Sequence, residues 1–136
     1  MSKTKVFLSG PIRGLPRELS MGWREEAKAQ LAPRAITFHA LRGREEKETL
    51  PDPRVAIHRD KYDIRRADIL LVNDTFPDAS MIGTSMEAIY AYEQGKLVVL
   101  FGEAHKDDYW LNYHSYVRFE TLEQACSFIL EHYCES

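Results

Sequence analysis

Short apolar runs alternate along the chain with longer stretches whose apolar residues recur at helical spacing. Val6, Phe7 and Leu8 form the centre of a first strand over residues 5–9. Similar runs predict strands over 35–41, 68–73, 96–101 and 116–119, each too short for a helix and rich in branched or aromatic residues. Between them, Leu19, Trp23, Ala27 and Leu31 line one face of a helix over 17–31, which Pro33 stops. A second helix over 53–67 draws apolar contacts from Val55, Ile57 and Ile64, with His58, Asp60 and Asp63 on its polar side. Further helices are expected over 84–94, ending before Gly95, and over 122–133. The aromatic and polar stretch 107–115 has no assigned element. The stretch 42–53 is highly charged and without period, which suits a lid or, more commonly, a plain solvated connection.

Strands that alternate with helices imply a parallel sheet with right-handed crossovers. The expected fold is therefore α/β: a flavodoxin-like, Rossmann-like three-layer sandwich with a five-stranded parallel sheet in the order 2-1-3-4-5. Residues 1–136 are read as a single domain, long enough to bury a proper core. In such a sheet, ligands bind outside the carboxyl ends of the strands, where the order reverses. That switch point falls between the first and third strands. The loops after them, 10–16 and 75–83, would line one crevice and bring Arg13 and Glu87 to the same rim.

Composition narrows the function classes. Hydrophobic residues make up 44% and charged residues 29%, as in ordinary globular proteins. The net charge of -3 gives no basic excess for a nucleic-acid polymer. No apolar run approaches a membrane span, and the amino terminus lacks the apolar core of a signal peptide. Cys126 and Cys134 would lie about two turns apart on one helical face, too far for a disulfide. Neither a CxxC pair nor an HExxH motif occurs, so a metal site is not expected. A cytoplasmic protein fits these features.

The chemistry concentrates in a few residues. Gly83-Thr84-Ser85-Met86-Glu87 follows a buried-looking strand, opens a helix and places a carboxylate in its first turn. Thr84 and Glu87 also have the spacing of a capping box, so a structural role for Glu87 competes evenly with a chemical one. The first loop, Gly10-Pro11-Ile12-Arg13-Gly14, matches neither GxGxxG nor GxxxxGK[ST], which disfavours a nicotinamide enzyme or an NTPase. A tight glycine loop with one arginine still suits a single anionic group. Asp60 shares a helical face with Ile64 and can project toward the crevice. Two carboxylates in one pocket suit cleavage of a glycosidic bond.

Val6-Phe7-Leu8-Ser9-Gly10-Pro11-Ile12, the stretch from Asp60 to Asp68, and Gly83-Thr84-Ser85-Met86-Glu87 through Ala91 resemble the nucleoside 2-deoxyribosyltransferases. They also resemble the related deoxynucleoside 5'-monophosphate N-glycosidases. Trp110 to Ser115 and Phe119 to Glu123 are similar to members of the same group. The resemblance implies that Glu87 is a catalytic glutamate attacking the anomeric carbon and that Asp60 acts near sugar and base. It implies further that Arg13 lies on the phosphate side, and that Asn112 or Ser115 reaches the site of a neighbouring subunit in a homodimer or higher oligomer. Phe7 stands where many relatives carry tyrosine, and Met81 where they carry aspartate or serine; Asp78 and Ser80 are close enough to substitute. Gly10 and Gly83 join the substrate-binding set. Phe7, Phe76 and Trp110 are expected walls for a flat base, with core packing the stronger reading of Phe7.

The expected activity is transfer of a 2'-deoxyribosyl group between bases through a covalent intermediate on Glu87, with no metal or organic cofactor. Two alternatives stay open. One is a (deoxy)nucleoside 5'-monophosphate N-glycosidase in which Arg13 grips the phosphate and water ends the reaction. The other is a non-catalytic nucleotide-binding domain.

Overall fold

The computed structural model describes residues 2–41 and 52–135; nearly all of the charged stretch 42–53 lies outside them. Among the described residues five strands, β1 (Thr4–Ser9), β2 (Ala35–His39), β3 (Ile69–Asn73), β4 (Leu97–Phe101) and β5 (Val117–Phe119), alternate with five helices. The helices are α1 (Arg17–Leu31), α2 (Pro53–Arg66), α3 (Ile82–Glu93), α4 (Tyr109–Tyr113) and α5 (Leu122–Tyr133). All strand pairs are parallel and the order is β2-β1-β3-β4-β5, as the alternation predicts.

Because side chains alternate across a strand, β1 feeds two cores. Val6 and Leu8 join Ile69, Leu71 and Val99 beneath α1 and α5, which contribute Ala27, Leu31, Cys126 and Ile129. Phe7 points the other way, among Leu70, Val98, Leu100, Ile64 and Ala88, under α2 and α3. Helices therefore cover both faces, and α1 lies on the face opposite α2 and α3. Both cysteines are free. Among the described residues no helix is long and apolar enough to cross a membrane.

Three local expectations are corrected. The buried stripe of α1 is Ser20, Arg24, Ala27 and Leu31, whereas Leu19 is exposed and Trp23 half-buried. The helix is rotated by one residue from its expected face, and this brings an arginine inside. On α2, Val55 and Ile57 are exposed while Asp63 is buried beside Ile64. Helix α3 begins at Ile82, two residues early, because the Ser80 hydroxyl accepts from the Ile82 amide (3.4 Å) and Ser85 N–H already reaches Met81 O (2.7 Å). Residues 109–113 form α4, capped by the Asp108 carboxylate on the Leu111 amide (2.8 Å).

Candidate active site

The early start of α3 decides what Glu87 can do. It lies in the second helical turn, out of reach of the orphan amides that a capping box serves. A capping box does occur in this chain, at Thr121 and Gln124 on α5. The Glu87 carboxylate instead accepts from the hydroxyl of Ser9, the last residue of β1, at 2.6 Å. Ser9 follows Phe7 by the two-residue strand period, so its side chain leaves the sheet on the α3 face. A carboxylate is thereby fixed across the carboxyl end of β1, at the point where the strand order reverses.

Two further charges converge there. Asp60 on α2 is half-buried and acts through its field on Glu87. Its neighbour Arg59 donates to Ala40 O (2.8 Å), which holds α2 over the end of β2. From the opposite face of the sheet comes Arg24, 1% exposed and among the largest fully buried side chains. Its guanidinium donates to Ser20 O (2.6 Å) and to Gly10 O (2.9 Å) and packs on the Trp23 ring at 4.7 Å. Gly10 is required at this contact: a Cβ there would come within 2.9 Å of the Trp23 ring and 3.1 Å of Asn73 Cβ.

Burial pushes the Glu87 carboxyl up to about 7; the bond from Ser9 opposes that rise, Asp60 adds to it and Arg24 opposes it. Burial likewise lowers Arg24 to about 10, against the attraction of Glu87 and Asp60, so the guanidinium stays charged at neutral pH. The result is a carboxylate that can be ionised or protonated near pH 7, with a second carboxylate and a fixed cation beside it. Such an arrangement can attack an electrophilic carbon or manage a proton.

The other expected site residues fall into separate groups. Arg13, Asp78, Ser80 and Gly83 are exposed on the loops that follow β1 and β3 and on the first turn of α3, the expected crevice walls. Phe7 is fully buried in the core and offers no surface to a ligand, because the strand period turns it under α2 and α3. Asn112 has both ends of its amide engaged, donating to Lys106 O (2.6 Å) and accepting from Arg118 (3.0 Å). Ser115 donates to Asn112 O (3.0 Å) and lies beside Gly95 and Lys96, at the amino-terminal edge of the sheet. Within one chain it cannot meet Glu87. Ser9 and Arg24 were not expected. The sequence carries only weak signals for them: Ser9 is the polar end of an apolar strand, and Arg24 shares helical spacing with Ser20, Ala27 and Leu31.

No family model and no curated protein matches the sequence. Solved structures do match. A 2-deoxyribosyltransferase from Leishmania mexicana superposes with a TM-score of 0.72 at 15% identity, covering 96% of this chain and 99% of that one. A 2-deoxyribosyltransferase from Bacillus psychrosaccharolyticus gives a TM-score of 0.67 at 19% identity, with 89% of each chain covered. This chain shares their fold. The CMP N-glycosidase of Clostridium botulinum is also similar, with a TM-score of 0.60 at 18% identity over 93% of this chain and 97% of that one. At these identities the likeness concerns the fold, and the chemistry must be argued from the residues above.

Proposed function

We infer that this chain is an enzyme that cleaves the N-glycosidic bond of a 2'-deoxynucleoside and passes the sugar to another base. The observation that carries the reading is the Glu87 carboxylate, held by Ser9 across the end of β1 and flanked by Asp60 and Arg24. Glu87 attacks C1', the bond to the base breaks through an oxocarbenium-like transition state, and the base departs with a proton. Asp60 orients or protonates that base. A second base then attacks C1' and releases Glu87. Dividing one difficult displacement into two easier ones is the gain. The Ser9 bond occupies one carboxylate oxygen and leaves the other for the anomeric carbon.

A second reading is hydrolysis of a nucleoside 5'-monophosphate. It is favoured by Arg13, an exposed guanidinium on the loop that begins directly after Ser9, where Gly14 turns the backbone at φ 85°. A fixed arginine fork suits a phosphate. Ser115 would enter the crevice only across a subunit boundary, in a homo-oligomer, and Asn112 would do so with it.

The test is to incubate wild type and Glu87→Ala with each deoxynucleoside and each deoxynucleoside monophosphate, with and without a second free base. A new β-nucleoside formed only by wild type, and only with added base, is the expected result. Product of inverted anomeric configuration would rule out the covalent intermediate. Free base with sugar phosphate, lost in Arg13→Ala, would establish the hydrolase. Binding without any turnover would leave a nucleotide-binding domain.

A further inference from the structure

A charged group is expensive to bury, and a core-facing arginine in a helix demands a reason. Arg24 occupies the stripe of α1 where Ala27 and Leu31 pack into the core, yet its bonds to Ser20 O and Gly10 O satisfy only part of the guanidinium. Its Nε–H is buried without a hydrogen-bond partner, as is the indole N–H of Trp23 beside it. Among the described residues it makes no direct ion pair. Gly10, whose carbonyl it binds, directly follows Ser9, whose hydroxyl holds Glu87, so the guanidinium sits at the carboxyl end of β1 within the field of Glu87 and Asp60. An apolar residue on this stripe would pack without the desolvation cost, so packing alone does not explain the arginine.

We propose that Arg24 is a positioning residue, a buried counter-charge that favours the ionised form of Glu87 beside Asp60 and fixes the first loop through Gly10. The inference deepens the reading of Glu87 as nucleophile and rests on it. Among the described residues, three groups act on Glu87: Ser9 from β1 donates a hydrogen bond, Asp60 from α2 repels the carboxylate, and Arg24 from the α1 side attracts it. Removing Arg24 takes away a cation that opposes the repulsion from Asp60, and a nucleophile already half protonated near neutrality would be less available still. The guanidinium does not touch the sugar or the base. It acts through the charge state of Glu87.

The experiment measures Glu87 itself. Chain labelled with carbon-13 at the glutamate carboxyl is titrated by NMR, with Glu87→Gln used to assign the resonance, in wild type, Arg24→Gln, Arg24→Met and Arg24→Lys. The neutral variants are expected to move the Glu87 midpoint up by roughly half to one pH unit, less than for a contacting ion pair, and Arg24→Lys to stay near wild type. Arg24→Met, apolar and of similar length, serves if Arg24→Gln fails to fold for want of hydrogen bonds. In parallel, kcat/KM should fall roughly three- to tenfold at pH 6 and much less at pH 8.5. A folded neutral variant with an unmoved Glu87 midpoint overturns the inference, as does an equal loss of kcat/KM at both pH values. If wild type turns over no nucleoside or nucleotide, the functional reading falls, and the titration still decides what Arg24 does.

Discussion

Glu87 combines two properties that a single residue rarely carries at no cost to the fold. A carboxyl displaced from 4.5 to about 7 by burial is penalised whenever it ionises in the folded chain. Below about pH 4.5 it is protonated whether the chain is folded or unfolded, and the penalty is absent. As the pH rises through about 7 the folded chain must hold a buried anion, so stability is lost across that window. The displacement corresponds to on the order of 3 kcal/mol at pH 8. Glu87→Gln keeps the shape and the acceptor for Ser9 but cannot ionise. It is expected to be more stable than wild type at pH 8, to differ little at pH 4, and to be inactive at both. Urea denaturation at the two pH values checks this; equal stability at pH 8 would mean that the carboxylate is better solvated than its surroundings indicate. Glu87 and Asp60 were singled out in the sequence by helical position, one in an expected first turn and one on a helical face, and by the motifs that resemble the deoxyribosyltransferases. Ser9 and Arg24 were not, since a serine at a strand end is ordinary and an arginine in a helix is read as outward-facing. The spacing of Ser20, Arg24, Ala27 and Leu31 carried the signal, but it called for a buried charge that hydrophobic pattern-reading discards.

At the scale of elements, the parallel strands and long helices were legible because their apolar periods differ, two against three to four. The rest was decided by local hydrogen bonds. Helix α4 is too short to show a period and is held by its cap and by a network below it. At the centre of that network is Asp74, directly after β3, fully buried and accepting from Arg118 (2.7 Å), from the His105 amide (2.9 Å) and from His105 Nδ1 (2.6 Å). Arg118 continues to Gly102 O (2.8 Å) and to Asn112 (3.0 Å), so one carboxylate ties β3, the loop after β4, α4 and β5 together. Gly102 completes the junction, with φ at 98° and no room for a Cβ, which would come within 2.4 Å of Asp74 O. Asp74→Ala leaves a largely buried guanidinium without its counter-charge and is expected to cost about 3–5 kcal/mol in denaturant titration. Glu103→Ala, which removes an exposed pair to Lys106 at 3.8 Å, should cost less than about 1 kcal/mol. Similar losses from both would show that the buried network does not hold this end of the sheet.

Several large aromatic rings of the molecule stand in water. Tyr109 is 88% exposed, Trp110 68%, Tyr113 70% and Tyr116 69%. They lie on and just after α4, where Tyr113 packs against Tyr92 of α3 at 5.9 Å between ring centroids. Scattered exposed aromatics need no explanation, but rings gathered on one side of a fold mark a contact surface. The occupant proposed with the functional reading is a second copy of this chain. Asn112 sits among these rings, and Ser115, remote from its own Glu87, could serve only a neighbour's crevice. A stable association would bury about 800 Å² on each partner. Sedimentation equilibrium is therefore expected to give a multiple of 15.8 kDa at micromolar concentration. Trp110→Glu, which puts an unpaired charge into the contact, should return the protein to 15.8 kDa with an unchanged circular dichroism spectrum. If the subunit boundary also completes the crevice, the same variant should lose most of its turnover at low protein concentration and regain part of it as concentration rises. A wild-type monomer with full activity would remove both the interface and any catalytic part for Asn112 and Ser115, leaving Glu87, Asp60, Ser9 and Arg24 as a site complete within one chain.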